Sequence, residues 1–192
     1  MKLDQLMCLL AKREPHIRGI IDELKVNQID DSNFSCAAIS IANNSITLYI
    51  NKRKFNALFS EEKLAVLAHE IGHLTLGHLS SRTHSDHDRF IVGLAQDLSL
   101  NYGLSTTYKL PEWFVTADKL SLPENLSTSQ YIPLLIGLGK RKLAKKVKIP
   151  DLNIEFSSAQ NKKTIKSIVD KIKVNPHLAI ISNNINVCSR DP

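Results

Sequence analysis

A chain of 192 residues with a net charge of +6 fits one domain, or one domain with a small appendage, and can bury a core without disulfides. Its composition is that of a soluble globular protein, and no apolar run approaches the ~20 residues that span a bilayer. Cys8, Cys36 and Cys188 are odd in number, widely spaced and without a CxxC. With no leader-like start, this argues against a secreted disulfide scaffold and for a reducing, cytoplasmic setting.

Leu3, Leu6, Met7 and Leu10 recur at helical spacing over residues 2–12. A second helix is predicted from Pro15 to Leu24, with proline at its first position and Ile17, Ile20, Ile21 and Leu24 as its stripe. Two apolar runs, Cys36–Ile41 and Ile46–Ile50, flank Asn43-Asn44-Ser45 and predict a β-hairpin. Ser60 is expected to cap a strong helix with Glu61 and Glu62 in its first turn, Leu64, Leu67, Ile71 and Leu74 on one face, and an end near Gly77. A polar loop, SSRTHSDHD, separates it from a helix over about Asp88–Tyr102 that stops at Gly103. Residues 104–126 contain Pro111 and Pro123 and are expected to be irregular. Ser127 and Gln130 form a capping box for a short helix, Tyr131–Leu138. Lys140 to Lys173 holds eleven basic residues against three acidic ones, a net of +8, with a helix expected around Lys162–Ile172 and a short strand at Leu178–Ser182. This segment is a solvated basic face or a contact for nucleic acid through residues 140–173.

The chemistry concentrates in VLAHEIGHL. Residues four apart stand on one face of a helix, so the imidazoles of His69 and His73 can converge on one tetrahedral zinc. Glu70 lies roughly 60–100° around the helix, beside that ion and within reach of a water on it. The spacing therefore supplies a metal, a nucleophile and a base within five residues. The apolar flanks Val66, Leu67, Ala68 and Leu74 bury the helix, and buried histidine and glutamate require partners. Two residues compete to be the third ligand. His78 points about 180° from His69 on a continuous helix, since nine residues turn ~900°, and it can ligate only if the chain breaks at Gly77. Asp97 lies on the core-facing stripe of Phe90, Leu94 and Leu98, where a carboxylate needs a counterpart and a metal ion supplies one. Asn101, one turn on, is placed to hydrogen-bond a ligand. Tyr102 and Tyr108 are candidates to donate a phenol to a tetrahedral intermediate. Trp113 is read as packing, His84 and His87 as surface residues, and His16 and His177 carry no role.

These residues support a resemblance. LYINKRKFNALFSEEKLAVLAHEIGHLTLGHLSSR, FIVGLAQDLSLNYGL and LPENLSTSQYIPLL resemble the predicted metallopeptidase domain that often precedes a von Willebrand factor A-like domain in bacterial and phage proteins. The shared features are Tyr49 to Asn51 closing a strand, HExxHxxxxH from His69 to His78, Ala95-Gln96-Asp97 to Asn101, and Leu122-Pro123-Glu124 before a short helix. They span roughly residues 45–138. The chain departs from the pattern at Ile91-Val92-Gly93-Leu94, where Trp-Asn usually precedes the alanine, and a basic segment follows in place of a von Willebrand-like domain. The resemblance implies a zincin-like α+β fold, zinc-dependent peptide hydrolysis, and roles for His69, Glu70, His73, His78 and Asp97.

The expectation is an α+β, zincin-like core over residues 1–138, with helices packed on a small sheet that contains the hairpin and HExxH on a central helix. A basic segment follows over residues 139–192. One zinc per chain is held by His69, His73 and Asp97, with His78 the alternative third ligand, and Glu70 activates the zinc-bound water against a protein or peptide substrate. The strand Ile46–Ile50, as a sheet edge, is expected to take an extended peptide by strand addition. The alternative is a nucleic-acid-associated protein acting through the basic segment, with a structural or inactive zinc site. No membrane partner is expected, and oligomeric state stays open.

Overall fold

The computed structural model describes residues 1–42, 45–79, 89–139 and 143. The order is α1 (Leu3–Arg13), a 3-10 turn (Pro15–Ile17), α2 (Arg18–Glu23), β1 (Leu24–Ile29), β2 (Ala37–Ala42), β3 (Ser45–Asn51), α3 (Lys52–Asn56), α4 (Ser60–Thr75), α5 (Arg89–Ser105), α6 (Ala117–Leu120) and α7 (Thr128–Leu138). This is a mixed α+β architecture with one small sheet.

The two runs around the asparagines form the expected antiparallel pair, from Ala37 opposite Ile50 to Ala42 opposite Ser45. Alternation sets its faces: Ile39, Ile41, Ile46, Leu48 and Ile50 point into the core, while Ser40, Thr47 and Tyr49 lie on the more open side. β3, however, is not an edge. β1 runs parallel to it, from Leu24 opposite Ile46 to Ile29 opposite Asn51, so the strand order is β1-β3-β2. The expectation of strand addition to Ile46–Ile50 therefore fails, because both sides of that strand are already paired. β1 carries little apolar pattern, being largely exposed along its middle, and so it reads poorly from the sequence.

A loop over residues 30–36 carries the chain across the end of β3. Asn51 pins it: its side-chain amide donates to the carbonyl oxygens of Asp31 (2.5 Å) and Phe34 (3.3 Å), and its Oδ1 accepts from the Lys54 amide, which also caps α3. This junction fixes where β2 starts.

One core cluster joins α1, the sheet and the inner face of α4 through Leu6, Leu10, Leu48, Leu64, Leu67 and Ile71. A second joins α5, α6 and α7 through Leu94, Leu98, Leu120, Tyr131 and Leu135, and Leu143 belongs to it. Helices α4 and α5 bring the two clusters together. Gly72 permits the approach, since a Cβ there would stand 2.7 Å from Leu100 Cδ1.

Helix ends differ from expectation in several places: α2 stops at Glu23, so that Leu24 opens β1, and α6 lies in the stretch expected to be irregular. Ser60 is the first helical residue rather than the cap; the Phe59 amide instead donates to Glu62 Oε2 at 2.9 Å. Gly103 does not stop α5, which continues to Ser105. The capping box at Ser127 and Gln130 forms as expected, but α7 starts directly after the cap at Thr128 rather than at Tyr131. The expected helix at Lys162–Ile172, the strand at Leu178–Ser182, His84, His87, His177 and the basic run apart from Leu143 lie outside the described residues. No described helix is long and apolar enough to cross a membrane.

Candidate metal centre

His69, Glu70 and His73 lie in the last two turns of α4, and Asp97 and Asn101 lie one turn apart on α5. The helix pair brings three donor atoms together. Nε2 of His69 is 2.9 Å from Nε2 of His73, which is 3.1 Å from Oδ1 of Asp97; the third side, His69 to Asp97, is 3.7 Å. Tetrahedral bonds of about 2.0–2.1 Å to zinc would space donors about 3.3 Å apart. The triangle brackets that value, so the residues fit one zinc-sized ion. Among the described residues, these three form the group able to hold a metal.

The side chains are withdrawn from solvent: 12% exposed for His69, 7% for His73 and 16% for Asp97. Burial works against charge on each, and their contacts decide the outcome. Burial, then the nearby His73, lowers His69 to about 4. His73 also meets a burial penalty, but its hydrogen bond to Asp97 and the charges of Asp97 and Glu70 raise it. Burial would raise Asp97, yet the His73 hydrogen bond and the surrounding histidines bring it below its usual range. His73 and Asp97 thus each favour the other's charged form, which is the electrostatics that a shared cation meets.

Each histidine also has a partner on its other ring nitrogen. Nδ1 of His69 lies 2.8 Å from Oδ1 of Asn101, whose amide donates to the Val115 carbonyl at 2.8 Å. Nδ1 of His73 lies 3.0 Å from Nδ1 of His78. The chain does break at Gly77, as His78 requires, but the break carries His78 to the outer nitrogen of His73.

Glu70 points toward the sheet. Burial raises it to about 7, against the charge of His73 and a hydrogen bond from the Ile39 backbone amide, which favour its ionised form. Ile39 lies on β2, whose Cys36 carbonyl accepts from the Asn51 amide at 2.9 Å. In the antiparallel alternation the Ile39 amide therefore faces away from β3, toward α4. The buried Cys36 thiol is nearby; burial first, then Glu70, pushes it up to about 12, which leaves it inert.

The segment expected to be irregular roofs the site. The Phe114 ring is buried with its centroid 4.9 Å from that of His69, and Trp113 packs edgewise on it at 4.7 Å while 42% exposed. Trp113 thus packs, as expected, yet stands one ring away from a site histidine. Tyr108 does not reach the centre: its hydroxyl donates to Glu14 at 3.0 Å, and burial with Glu14 pushes its phenol up. Tyr102 lies near Tyr131 of α7. His16 sits 3.6 Å from Glu14, outside the centre. No local pattern marks Ile39 or Phe114, because both enter through the packing of distant segments.

A family model described as "putative metallopeptidase domain" matches residues 7–172. The match bears on metal-dependent peptide hydrolysis and not on a von Willebrand factor A-like neighbour, and it does not favour the nucleic-acid reading. No curated protein and no solved structure matches the chain.

Proposed function

Since the chain belongs to that metallopeptidase family, we propose that it is a zincin-like peptide hydrolase with one zinc per chain, held by His69, His73 and Asp97, and with Glu70 as general base. The observation that carries the proposal is the triangle of two imidazole nitrogens and one carboxylate oxygen, its sides close to a tetrahedral edge, beside a partly ionisable glutamate. Three protein ligands with one position left open is the pattern of catalytic rather than structural zinc.

When bound, the ion supplies a Lewis acid that polarises a carbonyl and acidifies water. The chain supplies the rest. Glu70 takes a proton from the attacking water and returns it to the leaving amine, so water adds across the peptide bond with no net proton gained or lost. The Ile39 amide holds the Glu70 carboxylate in place. Asp97 would offset part of the charge of a bound cation, and Phe114 covers the His69 ring. An extended substrate has β2, not β3, as the strand edge next to Glu70.

The test is zinc content by elemental analysis, on protein purified without a metal-binding tag, together with hydrolysis of an unfolded casein substrate. About one zinc per chain, lost in His73→Ala and Asp97→Ala, with Glu70→Gln retaining zinc but losing activity by roughly 10²–10⁴-fold, is the expected result. A wild type that takes up no zinc on reconstitution, or a Glu70→Gln variant as active as wild type, overturns it.

A further inference from the structure

We infer that His78 is a positioning residue of the metal centre: it accepts a hydrogen bond from Nδ1 of His73 and so keeps Nε2 of that ligand free of a proton. The inference rests on the zinc reading above, and it assigns a role to the histidine that the triangle leaves out.

The end of α4 sets the position of His78. Its last helical residue is Thr75 and its cap is Leu76. Gly77 follows with φ of 70°, a left-handed conformation that glycine adopts without a Cβ penalty. The Gly77 amide then donates to the Leu74 carbonyl at 3.1 Å, and the His78 amide to the His73 carbonyl at 2.9 Å. Those two bonds define a Schellman ending, which folds the residue after the glycine back over the third residue from the helix end. Two apolar side chains usually meet there. In this chain the two positions are His78 and His73, with ring centroids 5.0 Å apart at 64°. The local fold thus delivers one imidazole to another without help from tertiary packing.

The contact joins Nδ1 to Nδ1 at 3.0 Å, so one nitrogen carries the proton and the other the lone pair. His73 settles which. Its Nε2 faces Asp97 at 3.1 Å and His69 at 2.9 Å, and to join a metal there it must present a lone pair. A neutral imidazole then has its proton on Nδ1, which makes His73 the donor and His78 the acceptor. His69 is treated in parallel, with the Asn101 oxygen as its acceptor. Each metal-facing imidazole therefore has its own outer acceptor, one from the turn after α4 and one from α5. Such partners fix tautomer and ring orientation and typically contribute 10–100-fold in metal affinity.

The experiment uses the full chain with His78→Leu, which keeps an apolar contact in the Schellman position but removes the acceptor, and His78→Asn, which restores an oxygen acceptor. Zinc affinity is read by competition with a chromophoric chelator. The His73 Nδ1 proton is read in zinc-loaded protein by long-range proton–nitrogen correlation of the ring. We expect His78→Leu to bind about one zinc per chain at saturation, with an affinity 10–100-fold weaker. His78→Asn recovers part of the loss. With zinc bound, the His73 Nδ1 proton is shifted downfield and slow to exchange in wild type, and it loses both features in His78→Leu. Unchanged affinity and an unchanged His73 Nδ1 proton in His78→Leu, or equal losses in the Leu and Asn variants, overturn the role of acceptor. Loss of zinc in His78→Leu as complete as in His73→Ala, with Asp97→Ala still loaded, makes His78 a ligand instead. A wild type that binds no zinc removes the zinc reading itself, and the inference with it.

Discussion

Asn101 ties two distant segments to one histidine: its Oδ1 lies 2.8 Å from Nδ1 of His69, and its amide is spent on the Val115 carbonyl. Because the amide nitrogen is already committed, the oxygen is the end that faces His69, and it can only accept. His69 must then carry its proton on Nδ1 and leave Nε2 for a metal. Asn101→Leu, similar in size but without an acceptor, is expected to weaken zinc binding by 10–100-fold while leaving about one site per chain. Competition with a chromophoric chelator measures it, and an unchanged affinity would show that the bond does not orient His69.

The approach of α4 to α5 sets the distance from His73 to Asp97, and Gly72 against Leu100 sets that approach. Leu100 is half-buried and its methyl end can turn aside, so Gly72→Ala is expected to change stability by no more than about 1 kcal/mol, the clash offsetting the gain in helix propensity. Gly72→Val adds volume that Leu100 cannot clear. It should cost about 1–3 kcal/mol and weaken zinc binding, and Leu100→Ala in the same chain should restore much of both. Denaturant unfolding and zinc titration of the double-mutant cycle check this; simple additivity would mean that the contact does not set the helix spacing.

The pH dependence of the metal-free chain follows from the direction of the shifts. Glu70 is raised from 4.5 to about 7, while His69 and His78 are lowered from 6.5 to about 4 and about 3, each mainly by burial. Between pH 4.5 and 6.5 the unfolded chain holds two histidine protons that the folded chain lacks. Over the same window the folded chain holds a Glu70 proton that the unfolded chain lacks. Stability therefore falls as pH falls through this window, and Glu70 opposes the fall. Glu70→Gln removes that opposition, so its stability should drop more steeply than wild type by about 1.4 kcal/mol per pH unit. Urea unfolding in chelator at pH 6.5 and 5 reads the difference, from which other titrating groups cancel; equal slopes would place the Glu70 shift elsewhere.

Ile39 offers a way to test the hold on Glu70. Its amide faces off the sheet, so proline there removes a donor without breaking the ladder to β3. Ile39→Ala serves as the control for the lost side chain. Both variants should keep zinc, and Ile39→Pro should fall below Ile39→Ala in kcat by about tenfold or more, since misplacing a base is costly. Equal kcat values in steady-state peptide hydrolysis would mean that Glu70 needs no hold from β2.

The sequence by itself determined what local chemistry determines. The HEIGH spacing puts two imidazoles on one helix face whatever surrounds it, the runs on either side of Asn43 and Asn44 pair as a hairpin, Ser127 and Gln130 cap α7, and Gly77 ends α4. The stripe through Leu94 and Leu98 also marked Asp97 as a carboxylate in need of a partner. Only the tertiary structure decided which groups meet. Read along the chain, Asp97 from its core-facing stripe or His78 after a break at Gly77 could each have closed the site. The crossing of α4 on α5 brings Asp97 to the two Nε2 atoms, while the turn at Gly77 sends His78 to the other side of His73. The edge of the sheet was likewise undecided until β1, almost patternless, paired with β3 and left β2 beside Glu70. Periodicity and caps act over a few residues and can be read along the chain. Crossings, edges and roofing segments such as Phe114 over His69 join residues far apart in sequence, and no local signal carries that information.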